Sequence, residues 1–303
     1  MRTRSLGDGG PEVSVVGLGT NNFGRRCDYD QTVAVIDAAL DAGVTLIDTA
    51  DIYAQGTSEE YIGRAMEGRR DRVVIATKFG QEMDERPEER RGNPDYIQWA
   101  VEGSLRRLRT DAIDVFQMHV PDPLTPIEET LGALNDLVHE GKVRWIGSSN
   151  FSADQIEAAE EVARGAGFHR FVSAQNEYSL VEREAEVDEL PTCEALGIGF
   201  LPYFPLASGL LTGKYRRGEV ATEGRLAGRE IAEERWDRVA TLQDLADEWS
   251  ASLLEVAIGG LLAMRAVTSV IAGATTPEQV RANVAAGAWE PTDEALAELK
   301  ALR

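Results

Sequence analysis

Short apolar runs rich in β-branched residues alternate along this chain with segments of helical periodicity. Each run has the length of a β-strand, and strands buried on both faces read as such continuous apolar stretches. Amphipathic segments between the runs, such as 29–43 and 152–167, end at glycine and predict α-helices. Residues 2–14 predict a small hairpin ahead of the first long strand. The predicted strands lie at 13–19, 44–49, 73–78, 113–119, 143–149, 171–176, 198–203 and 268–273.

Strands that alternate with helices in this way indicate a parallel sheet covered by helices on both faces. Eight such units in 303 residues fit a (β/α)8 TIM barrel better than two doubly wound domains. No linker-like segment or change of composition divides the chain, so we expect residues 1–303 to form one α/β domain. The longest strand-free stretches, 80–94 and a region beginning with 207–230, follow strand ends, where a barrel builds its active-site loops.

The chain is strongly acidic, with a formal net charge of −21 at pH 7. Because this charge repels nucleic acid and anionic membrane surfaces, neither is an expected partner. Acidic runs at 157–161 and 182–189 are typical of solvated helix faces. The charge therefore indicates a soluble surface rather than a charged binding partner.

Cysteine content and hydropathy indicate the cellular compartment in which we expect the protein. Cys27 and Cys193 form neither a disulfide framework nor a metal-ligand pattern, so we expect reduced thiols and no metal. The N-terminal segment lacks the apolar core of a signal peptide. The most apolar stretch, 253–267, is interrupted by Glu255 and Arg265 and predicts a core helix rather than a membrane span. We therefore expect a cytoplasmic protein.

Four polar residues lie at or just beyond the ends of three predicted strands. Asp48 and Tyr53 belong to the segment 44–53, Lys78 closes the next strand, and His119 closes the one after it. Each has a structural explanation when taken alone: a helix cap for Asp48, a core aromatic for Tyr53, a surface cation for Lys78 and a structural imidazole for His119. Together, at the same ends of successive strands, they indicate a proton donor whose pKa is tuned by its neighbours.

The order and spacing of several segments closely resemble the aldo-keto reductase family, over about residues 2–290. Within that family the likeness is to the bacterial and channel-β-subunit-like branches. The resemblance implies an NADPH-dependent carbonyl reductase built on a (β/α)8 barrel. The matching segments are 17–24, 49–66, 76–80, 117–150, 175–180, 202–215 and 271–284.

The resemblance also implies a catalytic role for each of the four polar residues. Tyr53 would protonate the carbonyl oxygen, although a free phenol has a pKa of about 10. A cationic Lys78 would lower that pKa, and Asp48 would keep Lys78 charged against desolvation. His119 would hydrogen-bond the substrate carbonyl and orient it towards the nicotinamide.

The cofactor site must differ from a Rossmann fold, because no complete G-x-G-x-x-G fingerprint follows a predicted strand. The resemblance implies instead an extended NADP(H) across the barrel mouth. In that arrangement Ser149, Asn150 and Gln175 would bind the carboxamide, Tyr203 would stack on the nicotinamide ring, and Lys214 would meet the pyrophosphate. The implied cofactor residues are Gly19, Thr20, Asn21, Asp48, Ser149, Asn150, Gln175, Tyr203, Pro205, Leu206, Ser208, Leu210, Lys214, Arg225, Gly273, Thr275, Gln279 and Asn283.

The adenosine end of the cofactor is expected within 271–283. Thr275, Gln279 and Asn283 match the positions that hold the 2′-phosphate and adenine in the family, and Thr276 followed by Pro277 predicts a helix start. Within it, residues 273–279 contain no Lys or Arg, whereas some relatives carry one there. Because charged donors hold phosphate more strongly than neutral ones, NADH stays an alternative to NADPH.

The substrate pocket and the function leave alternatives open. We expect the pocket wall to include Phe23, Tyr53, Phe79, His119, Val120 and Tyr178. Val120 replaces the Trp or Arg of many relatives, which predicts a more open, apolar pocket for aldehydes or small ketones. The leading hypothesis is a reductase of such small-molecule carbonyls. The alternatives are an NADP(H)-binding sensor with slow catalysis and an aldolase that uses Lys78 as a Schiff-base nucleophile.

Overall fold

The computed structural model describes residues 1–220 and 224–302. Strands and helices alternate through most of this length. The strands are β1 Thr3–Ser5, β2 Glu12–Ser14, β3 Val16–Gly19, β4 Leu46–Asp48, β5 Val74–Phe79, β6 Ile113–Met118, β7 Val143–Ser149, β8 Phe171–Gln175, β9 Gly199–Phe200 and β10 Val270–Gly273. The helices are α1 Tyr29–Asp41, α2 Thr57–Ala65, α3 Pro94–Leu108, α4 Ile127–His139, α5 Ala153–Ala166, α6 Glu189–Leu196, α7 Glu233–Glu248, α8 Leu253–Leu262, α9 Pro277–Ala286 and α10 Asp293–Ala301.

Eight parallel strands form the central sheet, in the order β10-β3-β4-β5-β6-β7-β8-β9. A parallel bridge between Phe200 and Val267 joins the two edges of this sheet. Phe200 donates its N–H to Ala266 and accepts from Thr268 across that junction. The sheet therefore curls into a barrel surrounded by helices, which confirms the predicted (β/α)8 fold.

The predicted hairpin is present, but the first predicted strand is divided in two. Residues 12–14 pair antiparallel with β1, whereas 16–19 pair with β4 and β10 in the barrel. The chain changes sheets at Val15, next to a pair of bonds between Ser14 and Thr45. The hairpin tip packs on the N-terminal end of the barrel, where Trp145 donates its indole N–H to the Gly9 carbonyl.

The predicted helices form where side chains cap their ends. α1 and α5 each begin with a capping box, Asp28 with Gln31 and Ser152 with Gln155. α5 ends at Gly167 in the left-handed conformation. The apolar stretch 253–267 forms the buried helix α8, although the helix stops at Leu262. Within the described ranges, no helix combines the length and the apolar character that crossing a bilayer requires.

Candidate active site

The four polar residues meet at the C-terminal ends of the barrel strands. Asp48 is the last residue of β4, Lys78 is the penultimate residue of β5, and His119 directly follows β6. Tyr53 lies in the turn between β4 and α2. The backbone N–H of His119 still bonds the Phe79 carbonyl at 2.7 Å, so the ladder between β5 and β6 holds the histidine in place. A parallel barrel brings such strand ends to one face, and this is the face where barrel enzymes carry their sites.

Lys78 and Asp48 form a buried ion pair at the centre of this group. Lys78 Nζ donates to both carboxylate oxygens of Asp48, at 2.7 and 2.9 Å, and to the Thr49 carbonyl at 2.8 Å. Burial alone would lower the pKa of Lys78, but the adjacent Asp48 outweighs it and the pKa is raised. Lys78 is therefore cationic at neutral pH. A protonated amine has no lone pair for a Schiff base, which argues against the aldolase interpretation.

Tyr53 lies against this pair and keeps its proton. Its ring centroid is 5.2 Å from Lys78 Nζ. Burial raises the pKa of Tyr53, while the Lys78 charge acts in the opposite direction. Lys78 thus lowers the pKa as expected from the sequence, but the net direction is upward, because desolvation of the phenolate exceeds the attraction of Lys78. At neutral pH the hydroxyl holds a proton that it can donate.

His119 stands edge-on to Tyr53, with ring centroids 6.0 Å apart and an interplanar angle of 79°. Burial, with a smaller effect from Lys78, lowers the pKa of His119 to about 3. The imidazole is therefore neutral at pH 7. Its Nδ1 is buried and has no partner among the described residues. A neutral imidazole can donate one N–H to a substrate oxygen but does not act as the acid.

Two amides tie these residues to the neighbouring strands. Asn150, in the left-handed conformation at φ 60°, donates to the His119 carbonyl at 2.8 Å and accepts from the Tyr203 hydroxyl at 2.8 Å. Gln175 donates to Asp48 Oδ1 at 2.9 Å. The residues expected at the nicotinamide carboxamide thus also hold His119, Tyr203 and Asp48 in position. Ser149 is the third residue expected at the carboxamide, and its hydroxyl oxygen accepts from the Asn150 side-chain amide at 3.1 Å.

The other expected cofactor residues surround the mouth in three segments. Gly19 is the last residue of β3, and Thr20 and Asn21 follow it. Thr20 is buried, and its hydroxyl donates to the Asp48 carbonyl at 2.8 Å. Arg225 reaches across the mouth to Asn21 Oδ1, at 2.6 Å. The second segment, which follows β9, comprises Pro205, Leu206, Ser208, Leu210 and Lys214, and it includes a short 3-10 helix over Ala207–Thr212.

The third segment is the start of α9, which follows β10 and Gly273. Thr276 caps the helix and Pro277 begins it, as the sequence predicts. The Gln279 side chain accepts from the Thr275 N–H at 2.8 Å and from its hydroxyl at 3.1 Å. Asn283 is almost fully buried. The residues matched to the adenosine end therefore lie together at one side of the mouth.

The residues expected in the substrate pocket differ in their exposure. Phe23, Phe79 and Tyr178 are fully buried; Phe79 stacks on Phe116, and Tyr178 bonds a carboxylate. These three do not line an open wall in this structure. Val120 is partly exposed beside His119.

Phe204 is an exposed aromatic that the sequence analysis did not include. It lies edge-on to Tyr203, with centroids 5.2 Å apart, and the Arg225 guanidinium lies 5.0 Å above its ring. Its φ of 51° turns the backbone into the left-handed region. Only its position beside Tyr203 could have drawn attention to it, because a single aromatic in a loop has no distinguishing pattern.

A second buried charge group lies beneath the catalytic turn and was also missed. Arg107 Nε bonds Glu59 Oε2 at 2.7 Å, and the Thr77 hydroxyl bonds Glu59 Oε1 at 2.6 Å. Asp51, two residues before Tyr53, is buried, and neither of its carboxylate oxygens has a partner among the described residues. Burial and the nearby Glu59 raise the pKa of Asp51 well above its usual range, against the effect of Arg107.

This chain is similar to several known proteins. A model of the aldo/keto reductase family matches residues 15–303. An uncharacterized oxidoreductase from Bacillus subtilis, YrpG, is 38% identical over 298 residues, covering 94% of this chain and 91% of the relative. A probable voltage-gated potassium channel subunit beta from Oryza sativa subsp. japonica is 35% identical over 302 residues, with the same two coverages.

The fold also resembles that of a solved structure. The aldo-keto reductase AKR11C1 from Bacillus halodurans, in its holo form, superposes with a TM-score of 0.83 and 31% sequence identity. The match covers 99% of this chain and 95% of the solved chain. The likeness therefore extends over the barrel and its loops together.

Proposed function

This chain belongs to the aldo/keto reductase family, and on that premise we propose that it reduces an aldehyde or ketone to the alcohol with NADPH. The observation that carries the proposal is the buried Lys78–Asp48 pair beside a protonated Tyr53 and a neutral His119. These groups provide a proton donor, a cation next to the phenolate that forms, and a neutral hydrogen-bond donor for the carbonyl.

The mouth has donors suited to an extended dinucleotide. Lys214 and Arg225 can meet phosphate oxygens, and Gly209 and Gly213 have positive φ, which lets backbone amides approach closely. Asn150, Gln175 and Tyr203 offer polar and aromatic groups at the nicotinamide end. The residues present thus fit a nicotinamide dinucleotide, and AKR11C1 was solved in a holo form.

In the proposed reaction, a bound NADPH would supply the hydride, from nicotinamide C4, that the carbonyl carbon accepts. His119 donates a hydrogen bond to the carbonyl oxygen and orients it towards Tyr53. As negative charge develops on that oxygen, the Tyr53 hydroxyl transfers its proton there and the alcohol is completed. Lys78 stabilises the resulting phenolate, and Asp48 keeps the lysine charged.

The test follows NADPH absorbance with an activated aromatic aldehyde and repeats it with Tyr53→Phe. General acid catalysis contributes roughly 10²–10⁴-fold, so we expect kcat to fall by about that factor while NADPH binding persists. Tyr96→Phe is a matched control, because Tyr96 is a buried tyrosine whose hydroxyl bonds a backbone carbonyl in the loop after β5. A Tyr53→Phe protein that reduces aldehydes at the wild-type rate refutes the assignment.

A second candidate function is an NADP(H)-binding sensor with slow catalysis. The observation that favours it is the 35% identity to a plant protein named as a probable potassium channel β-subunit. The same assay separates the two functions. Tight NADPH binding without turnover of any carbonyl tested supports the sensor, and turnover that depends on Tyr53 supports the reductase.

A further inference from the structure

The turn that carries Tyr53 has a strained backbone. Ala54, Gln55 and Gly56 follow the tyrosine directly, with φ values of 50°, 52° and 92°. A side chain disfavours this left-handed region, so alanine and glutamine adopt it only where the surrounding contacts hold them there. The position of the Tyr53 hydroxyl therefore depends on what holds the three residues after it.

Arg107, in the last turn of α3, packs against this left-handed segment. A Cβ placed on Gly56 would lie 2.6 Å from Arg107 Cδ and 3.0 Å from its Nε. Because these distances are too short for an ordinary side-chain contact, only glycine lets the arginine approach the backbone this closely. The Arg107 side chain is 13% exposed, so most of it is enclosed between α3 and the turn.

A buried carboxylate fixes the guanidinium in this place. Arg107 Nε donates to Glu59 Oε2 at 2.7 Å, and Glu59 Oε1 accepts from the Thr77 hydroxyl at 2.6 Å. Glu59 is fully buried in the first turn of α2. Thr77 directly precedes Lys78 on β5. The carboxylate thus connects the arginine behind the Tyr53 turn to the strand that carries Lys78.

Such an ion pair suits a site whose geometry matters more than its stability. Taking two charges out of water costs about as much as their attraction returns, so a buried pair stabilises little more than apolar packing does. Charge-assisted hydrogen bonds differ from apolar contacts in being directional. A carboxylate bonded through both oxygens holds the guanidinium in one orientation, and the backbone at Gly56 packs on a surface that does not move.

We propose that Arg107 is a positioning residue for the proton transfer, because it fixes the turn that presents the Tyr53 hydroxyl next to Lys78. The proposal rests on the proposed function, in which Tyr53 donates the proton. Arg107 acts through the turn and through Glu59 rather than on the substrate. Its loss should therefore slow the chemical step and leave the binding of NADPH and aldehyde nearly unchanged.

The test mixes the NADPH complex with a saturating activated aromatic aldehyde and follows a single turnover of NADPH oxidation. This rate separates the chemical step from product release. Arg107→Met keeps an unbranched stem without the guanidinium and should lower the rate roughly 10- to 100-fold, since a shift of about 1 Å at the reacting group costs that much. The Kd of NADPH and the half-saturating aldehyde concentration should change less than about threefold. A single-turnover rate equal to that of wild type overturns the proposal.

A double variant separates positioning from stability. Arg107→Met leaves the Glu59 carboxylate buried without its cation, which is destabilising in itself. Adding Glu59→Gln removes that charge, and the new amide oxygen can still accept from Thr77. The double variant should regain much of the urea midpoint lost in Arg107→Met, yet keep the slow single-turnover rate, because the guanidinium against Gly56 is still missing. Recovery of the rate together with the midpoint would show that Arg107 acts on stability alone.

The matched control is Arg70→Met, at the opposite end of β5 from Lys78. Arg70 is also a partly buried arginine paired with a buried carboxylate, that of Asp114, and it donates to the Val73 carbonyl at 2.9 Å. This variant should lower the urea midpoint while the single-turnover rate stays within about twofold of wild type. A rate loss in the control as large as in Arg107→Met would trace the effect to general destabilisation and overturn the proposal.

Failure of this inference is distinct from failure of the proposed function. Wild-type protein that reduces an aldehyde in a Tyr53-dependent reaction satisfies the proposed function, whatever the Arg107 variants do. If those variants keep the wild-type rate, the positioning role alone is wrong. If wild type reduces no carbonyl, both proposals fail together.

Discussion

Asp51→Asn is the substitution whose effect on stability follows most directly from the buried charges. The Asp51 carboxyl has no hydrogen-bond partner among the described residues and lies near both Glu59 and Arg107. The Arg107 guanidinium is therefore near two carboxyl groups, and it already bonds one of them, Glu59, at 2.7 Å. The side-chain amide introduced by the substitution has nearly the same shape as the protonated acid and cannot ionise. The variant thus removes the charge while leaving the packing in place.

The pKa shift fixes the sign of the effect. Burial raises the pKa of Asp51 in the folded protein above its value of about 3.9 in an unfolded chain. Between the two pKa values the folded state binds more protons, so the free energy of unfolding falls as pH rises through that window. Each unit of upward shift corresponds to about 1.4 kcal/mol. The unfolding free energy of the variant should therefore rise relative to that of wild type on moving from pH 4 to pH 8.

Urea denaturation at a series of pH values measures this difference. The unfolding free energy of Asp51→Asn should decline less steeply with pH than that of wild type, with similar m-values. Asp41→Asn is a matched control, because Asp41 is an exposed aspartate at the end of α1. If Asp51→Asn and wild type show the same pH dependence, the carboxyl is not held protonated by burial, and the reasoning is wrong.

Two further substitutions test the packing and pairing around the site. Gly56→Ala should destabilise the protein by about 2–4 kcal/mol, because Gly56 has φ 92° and its new methyl would lie 2.6 Å from Arg107 Cδ. Gly68→Ala is its control: φ is 75° but nothing lies within 4 Å, so a loss equal to that of Gly56→Ala in thermal or urea unfolding contradicts the packing argument. Lys78→Met should cost about 3–5 kcal/mol by leaving a buried carboxylate unpaired, and adding Asp48→Asn should restore part of it. A double variant no more stable than Lys78→Met alone would show that the unpaired charge is not the cause.

The order of strands and helices could be predicted because the signals are local. A parallel strand buried on both faces is apolar along most of its length, so a segment such as 113–119, with Ile113, Val115, Phe116 and Met118, is recognisable without its neighbours. The caps at Asp28, Ser152 and Thr276 are equally local, since each bonds an N–H three residues ahead. The break at Val15 was not predictable, because apolar residues continue through it whichever sheet they join.

The pKa values in the site depend on burial and on charges contributed by elements that are distant in sequence. The sequence by itself determined which residue types stand at the strand ends, and so the pairing of Lys78 with a carboxylate. Only the tertiary structure decided that burial outweighs Lys78 in setting the pKa of Tyr53 and that, among the described residues, Asp51 lies without a partner. Only packing brought Arg107 against Gly56. The physical reason is that a strand end is fixed by local periodicity, whereas desolvation and charge repulsion depend on every group that folding brings near.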